Sequence, residues 1–252
     1  MYIIPLDLGD ITMDKSELTL RRGFGTKYNG KMIAYYIGGA EAKVLVDTGT
    51  PDLKRSREYH PYVDLRLSEE QTIERQLSKV GVKPSDIDMV VLTHLHWDHC
   101  FGLERFKNAE FIVQKREYYF ALDPIPPLYV AYEHLAIGLR PAFLDTAFTT
   151  LAGEKEIAKG IRVFPTPGHS PGSQSVAVET AEGTYVIAGD TVMCYENIQG
   201  DPKAKQPYFL PGIYTDMLET WESMDRIYKI AGAPGRVLPG HEAKVFEKQR
   251  YP

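Results

Sequence analysis

The sequence predicts an α/β (α+β) chain, a sandwich of two β-sheets with helices on its outer faces. Three observations predict it. The 252 residues are within what one layered domain, 1–252, fills with a single core. Short apolar, β-rich runs bounded by Gly or Asp recur along the chain, as in strands covered on both faces. Each half of the chain also carries strands and a helix together, with no repeat, low-complexity tract or linker-like run to mark a boundary.

In chain order, Met32–Ile37 and Lys43–Val46 read as strands. Ser68–Val80 changes period: Ser68 with Gln71 makes a capping box, Ile73, Leu77 and Val80 share a face, and Gly81 supplies the stop. After Pro84, Met89–Thr93 is a buried strand that runs into His94–His99. Phe111–Val113 is a short strand and Arg116–Leu122 a helix, whereas Asp123–Leu144, rich in Pro, Tyr and Leu, has no period and suits a lid or pocket wall. Ile161–Phe164, Gln174–Glu179 and Tyr185–Ala188 repeat the strand pattern, the last two joined as a hairpin across Ala181, Glu182 and Gly183. Thr215 is placed to cap a second helix with a stripe through Leu218, Trp221, Met224 and Tyr228.

Composition removes several function classes. Hydrophobic residues at 43% and charged residues at 25% exclude a disordered or fibrous chain. A net charge of −5 without a basic run argues against a nucleic-acid partner. No run approaches the roughly 18 apolar residues of a membrane span, and Met1–Asp10 lacks a basic segment ahead of an apolar one, so no membrane partner and a cytoplasmic location are expected. Two cysteines, Cys100 and Cys194, cannot form a disulfide framework and read as reduced thiols.

The segment His94-Leu95-His96-Trp97-Asp98-His99 packs three imidazoles and a carboxylate into six residues. These are the nitrogen and oxygen donors of Zn²⁺ and related ions, with Mn, Fe or Co as alternatives. His94 and His96 project to one side of an extended backbone, while Asp98 and His99 follow a turn, so one ion does not account for all four. Downstream, His169 follows Thr166-Pro167-Gly168, Asp190 follows a strand and Gly189, and His241 follows Leu238-Pro239-Gly240. Taken singly, each would be an ordinary turn residue. His60 and His134 stand apart and receive no role, and Cys100, beside the cluster, reads as a small buried side chain.

In order along the chain, His94, His96, Asp98, His99, His169, Asp190 and His241 resemble the metallo-β-lactamase superfamily, and the likeness spans nearly the whole chain. The resemblance implies an αββα four-layer sandwich with a binuclear site at one edge: His94, His96 and His169 on one ion, Asp98, His99 and His241 on the other, Asp190 bridging. Asp47 in Val46-Asp47-Thr48-Gly49 matches an early Asp that orients a ligand histidine. Members of this family are often homodimers, and Ile125–Leu144 could cover the site or meet a second copy.

Two ions sharing a water present hydroxide to an electrophilic carbon or phosphorus, so the expected chemistry is hydrolysis, with Asp98 as proton shuttle to the leaving alkoxide. No Gly-x-Ser-x-Gly elbow offers a protein nucleophile. The overall likeness is to the N-acyl-homoserine lactonase branch, which implies a small-molecule lactone as substrate. That branch carries a Tyr three residues after the bridging Asp, where this chain has Met193; Tyr195 is the candidate substrate-binding residue in its place. Tyr129, Tyr132, Tyr208 and Tyr214 also lie in loop-like stretches, and Phe209, Leu210 and Ile213 suggest an apolar wall. Two alternatives stand beside the lactonase: hydrolysis of a thioester, cyclic amide or other activated acyl bond, and a non-catalytic metal-binding ligand sensor.

Overall fold

The computed structural model describes residues 1–252 and arranges twelve strands in two sheets. Strands β1 (Tyr2–Asp14), β2 (Lys27–Gly38), β3 (Val44–Val46), β4 (Asp64–Arg66), β5 (Met89–Val91), β6 (Glu110–Gln114) and β7 (Phe148–Leu151) form the first, in the order β4-β1-β2-β3-β5-β6-β7. Strands β8 (Lys155–Ala158), β9 (Ile161–Pro165), β10 (Gln174–Thr180), β11 (Gly183–Gly189) and β12 (Val237–Pro239) form the second, in the order β12-β11-β10-β9-β8. Strands β3, β5, β6 and β7 run parallel, as do β11 and β12.

Successive side chains of a strand point to opposite faces, and the three hydrophobic clusters follow that alternation residue by residue. Val44, Val46, Val91 and Ile112 meet Val163, Val176, Val178, Ile187 and Leu238 between the sheets. Their neighbours Leu45, Val90 and Val113 turn outward to Leu77, Ile87 and Phe106. On the other side Ala177, Val186, Ala188 and Val237 turn outward to Met224, Ile227 and Ala231. Three apolar layers between four structural layers are therefore written in the near-continuous apolar runs of the short strands.

Six α-helices accompany the sheets: α1 (Lys15–Leu18), α2 (Leu53–Tyr59), α3 (Ile73–Lys79), α4 (Lys115–Leu122), α5 (Tyr195–Gln199) and α6 (Met217–Ala231). The helix expected over Ser68–Val80 is two pieces. Gln71 Oε1 accepts the Ser68 N–H at 2.9 Å, but this box closes only the 3₁₀ turn Glu69–Gln71. Thr72, extended at φ −90°, starts again and caps α3 through Arg75 N at 3.3 Å. Likewise Asp216, not Thr215, caps α6, accepting Glu219 N at 2.9 Å, because Thr215 spends its hydroxyl on Gly168 O. The buried face is then Thr220, Met224, Ile227 and Ala231, and Leu218 is 74% exposed. Trp221 is partly exposed and packs edge-on against Tyr208. The hairpin from β10 to β11 forms as expected, with Thr180 opposite Gly183. Helices α1, α2 and α5, each seven residues or fewer, had no periodic signal.

Both cysteines are buried free thiols, and no helix is long and apolar enough to cross a membrane.

Candidate metal centre and its pocket

Strand ends bring the sequence-predicted residues together. Asp47 follows β3, His94–His99 follow β5, His169 follows β9, Asp190 follows β11 and His241 follows β12. Their loops are tied to each other. Thr48 N donates to His99 O at 2.8 Å, Gln174 N to Thr93 O at 2.8 Å and His241 N to Met193 O at 2.9 Å. Tyr35, from the facing sheet, donates its hydroxyl to Pro239 O at 2.6 Å and holds the turn that presents His241. Two donor sets result, His94 with His96 and His169, and Asp98 with His99, Asp190 and His241; within each set the candidate ligand atoms lie within 4.8 Å of one another.

Hydrogen bonds settle which nitrogens are free. His169 Nδ1 faces Ile213 O at 3.1 Å and His241 Nδ1 faces Lys31 O at 2.9 Å. His99 Nδ1 faces Asp47 Oδ2 at 2.9 Å. His94 Nδ1 faces Thr93 Oγ1 at 3.0 Å, and that hydroxyl already gives its proton to Asp47 Oδ2 at 2.8 Å. Each acceptor is an oxygen that can only receive, so all four rings carry the proton on Nδ1 and turn a bare Nε2 inward. His96 is reversed, with Nδ1 at 3.0 Å from His169 Nε2. The inward Nε2 atoms meet carboxylates: His241 and Asp190 Oδ2 at 3.2 Å, His99 and Asp190 Oδ1 at 3.4 Å, His99 and Asp98 Oδ2 at 3.5 Å. Lone pairs at that range need a proton or a cation between them. His94 Nε2, His99 Nε2 and Asp190 Oδ1 are buried without any hydrogen-bond partner. The donor set, imidazole with carboxylate, fits two divalent ions of the zinc type.

As side chains alone these groups already polarise one another. Burial, reinforced by the neighbouring imidazoles, pushes His94 well down and His96 down to about 3. In His99 and His241 burial works the same way, but the carboxylates of Asp98 and Asp190 outweigh it and raise both. Burial would lift Asp98 and Asp190; the facing imidazoles overcome it, taking Asp98 to about 2 and Asp190 well below the carboxylate range. His94 and His96, held neutral, and Asp98 and Asp190, held ionised, are in the states that bind a cation, and at His99 and His241 a cation would take the place of the proton that the carboxylates favour.

The model of the metallo-β-lactamase superfamily matches residues 34–241. The chain belongs to that superfamily. An N-acyl homoserine lactonase of Bacillus thuringiensis is 29% identical over 209 residues, which cover 80% of this chain and 79% of the relative. A solved N-acyl homoserine lactone hydrolase, with the product N-hexanoyl-L-homoserine at its catalytic metal centre, superposes with a TM-score of 0.78 at 23% identity over 98% of this chain and 95% of that one. A dizinc quorum-quenching lactonase with a bound product superposes with a TM-score of 0.70 at 16% identity, over 96% and 87%.

In this metallo-β-lactamase fold the donor sets form the floor of a pocket of about 110 Å³ with Ile11, Met13, Met32, Val63, Leu128 and Ile213 among its walls. Leu128 and Ala131 come from the aperiodic segment Asp123–Leu144, and Ala131 O receives the Trp97 N–H at 2.9 Å, so that segment is pocket wall. Tyr195 is not at the site. It is the first residue of α5, its N–H goes to Glu242 Oε2 at 2.8 Å, and its ring lines a separate cavity with Tyr251. Met193 does reach the pocket, as do Tyr62 and Tyr214. Of the other tyrosines, Tyr132 packs edge-on against His96, Tyr129 stacks on His134 and Tyr208 joins the α6 cluster. Phe209 lies under Arg22 and Leu210 packs with the α6 cluster, leaving Ile213 as the wall residue of that trio.

Two groups escaped the sequence reading. Glu117 on α4 is fully buried and accepts four hydrogen bonds: from Leu95 N and Tyr132 Oη at 3.0 Å each, Ser170 Oγ at 2.6 Å and Gly172 N at 3.0 Å. It thereby clamps the loop of His94 and His96 to the loop of His169. His60 is also fully buried, stacked on Trp97 at 3.8 Å and bonded to Glu133 at 3.1 Å. A lone Glu or His in an amphipathic stretch gives no local signal for either role.

Proposed function

We propose that the protein is a metal-dependent hydrolase that opens lactone rings, with His94, His96 and His169 holding one divalent ion, Asp98, His99 and His241 a second, and Asp190 between them. The observation that carries this reading is the convergence of bare imidazole nitrogens and ionised carboxylates on the floor of an apolar pocket. Two such ions, when bound, lower the pKa of a shared water and polarise a substrate carbonyl. The protein's part is orientation and proton movement. Thr93 and Asp47 fix His94 and His99, while backbone carbonyls fix His169 and His241. Asp98 alone among the seven is partly open, its side chain 13% exposed against 4% or less for Asp190, His99 and His241. It is placed to carry a proton from the floor to the alkoxide that leaves as the ring opens. The likeness to N-acyl homoserine lactonases supports the substrate class.

Met193, an apolar side chain in the pocket, supports a second reading: a thioester or cyclic amide that asks for no phenolic hydrogen bond at that position. A pH-stat panel of an acyl-homoserine lactone, a plain γ-lactone, a thioester and a cyclic amide, run on zinc-loaded and chelator-stripped protein, separates the two. Lactone opening that disappears on stripping, and that falls sharply in Asp98→Asn, supports the lactonase. Intact lactones beside a cleaved thioester or amide would overturn it in favour of the second reading.

A further inference from the structure

A hydrogen-bonded chain of four side chains runs from the pocket into the protein, and none of them is among the metal-donor residues. Arg55 grips the Glu133 carboxylate, Nε at 2.9 Å and Nη2 at 2.7 Å from Oε2. Glu133 Oε1 faces His60 Nε2 at 3.1 Å. His60 Nδ1 in turn faces the Tyr62 hydroxyl at 3.3 Å, and Tyr62 lines the pocket beside Trp97 and Asp98. Glu133 sits in the left-handed region at φ 47°, a conformation that a non-glycine residue holds at a cost, which the bonds to Arg55 and His60 offset.

The direction of these bonds is decided by what each atom can do. A carboxylate paired with Arg55 only accepts, so a neutral His60 carries its proton on Nε2 and offers a lone pair at Nδ1. The Tyr62 O–H must then point at His60. What Tyr62, half exposed at the mouth, still shows to the pocket is acceptor lone pairs and no donor.

We propose that Tyr62, held by His60, is a specificity-determining residue that accepts a hydrogen bond from the amide N–H of an N-acyl lactone. This rests on the lactonase reading above and adds a substrate feature to it. A plain lactone has only acceptors, which an oxygen committed in this way cannot bind. An acylated amino-lactone carries one N–H outside the ring, a donor that a Tyr62 oxygen in the pocket lining can accept.

The test compares N-hexanoyl-homoserine lactone with γ-caprolactone on zinc-loaded wild type and Tyr62→Phe, with bound zinc measured in both. Phe keeps the ring against His60 and removes only the oxygen. The expected result is a fall of about tenfold in kcat/KM for the amide-bearing lactone, with γ-caprolactone hydrolysis and zinc content unchanged. Equal losses on both lactones, or none on either, overturn the role of Tyr62 while leaving the lactonase intact. A wild type that opens neither lactone overturns the lactonase reading and this one with it.

Discussion

Asp47 Oδ2 accepts the His99 Nδ1–H at 2.9 Å from a backbone held in the left-handed region at φ 62°. The same carboxylate takes the Thr93 N–H at 2.7 Å and the Thr93 hydroxyl at 2.8 Å, and Thr93 passes the constraint on to His94. One side chain therefore orients a histidine in each donor set. Asn tolerates the left-handed region, so Asp47→Asn keeps the turn and removes the charge. The expected outcome is a zinc affinity lowered about 10- to 100-fold, read by competition with a chromophoric chelator. Asp47→Ala adds backbone strain and is expected to melt at a lower temperature than Asp47→Asn. Wild-type affinity in both variants would remove Asp47 from any orienting role.

Glu117 performs the corresponding service for the first donor set. In Glu117→Gln an amide NH₂ faces backbone and hydroxyl donors that now have no acceptor, in a place closed to water. A loss of about 2 to 3 kcal/mol in urea unfolding is expected. Bound metal should fall from two ions towards one, because the loops of His94, His96 and His169 are the ones released. Elemental analysis after dialysis would report this, and two retained ions would show that the clamp is dispensable.

The pH dependence of stability contains a contribution from Glu133. Burial would raise its pKa, but hydrogen bonds from His60 and Arg55 outweigh burial and hold it below its ordinary 4.5. A carboxylate whose folded pKa is depressed contributes stability that is present above the unfolded value and lost as pH falls through the folded one. Glu133→Gln should therefore be less stable than wild type by roughly 3 kcal/mol at pH 7, and the gap should close as pH drops below 4.5. Urea titrations of both proteins at pH 7 and pH 3 check this; a gap of the same size at both values would place the effect in packing rather than charge.

Much of the candidate site was legible because chemistry at strand ends is local. Three imidazoles in six residues, a Gly-His after a strand and an Asp after β11 each leave a mark in the sequence itself. Asp47 was legible for the same reason, as part of Asp-Thr-Gly. Glu117, His60 and Glu133 were not, because their meaning lies in partners far along the chain, Ser170 for Glu117 and Glu133 for His60. Tyr195 was misplaced since a two-residue offset at the start of α5 turns a side chain from the pocket to the opposite side of the turn. The face of α6 was also misjudged: its buried side is Thr220, Ser223, Met224, Ile227 and Ala231, and Leu218, expected to be buried, is 74% exposed. Alternating runs were readable in the sheets, where period two leaves only two faces to choose from.

Gly240 supplies a last test of how tightly the centre is built. It precedes His241, and a Cβ on it would overlap Asp190 Oδ1, the buried oxygen without a partner, and lie 3.1 Å from Gly189 C and O. The backbone at Gly240 is not in the left-handed region, so alanine is admissible there and only the space is contested. Gly240→Ala should therefore displace the Asp190 carboxylate, the one group placed between the two donor sets, while leaving both sheets in place. The expected protein melts near the wild-type temperature when both are stripped by chelator, yet gains less on zinc addition, since stabilisation by a ligand follows its affinity. An undiminished zinc-induced shift would mean that Asp190 can swing aside and that the two sets hold their ions without it.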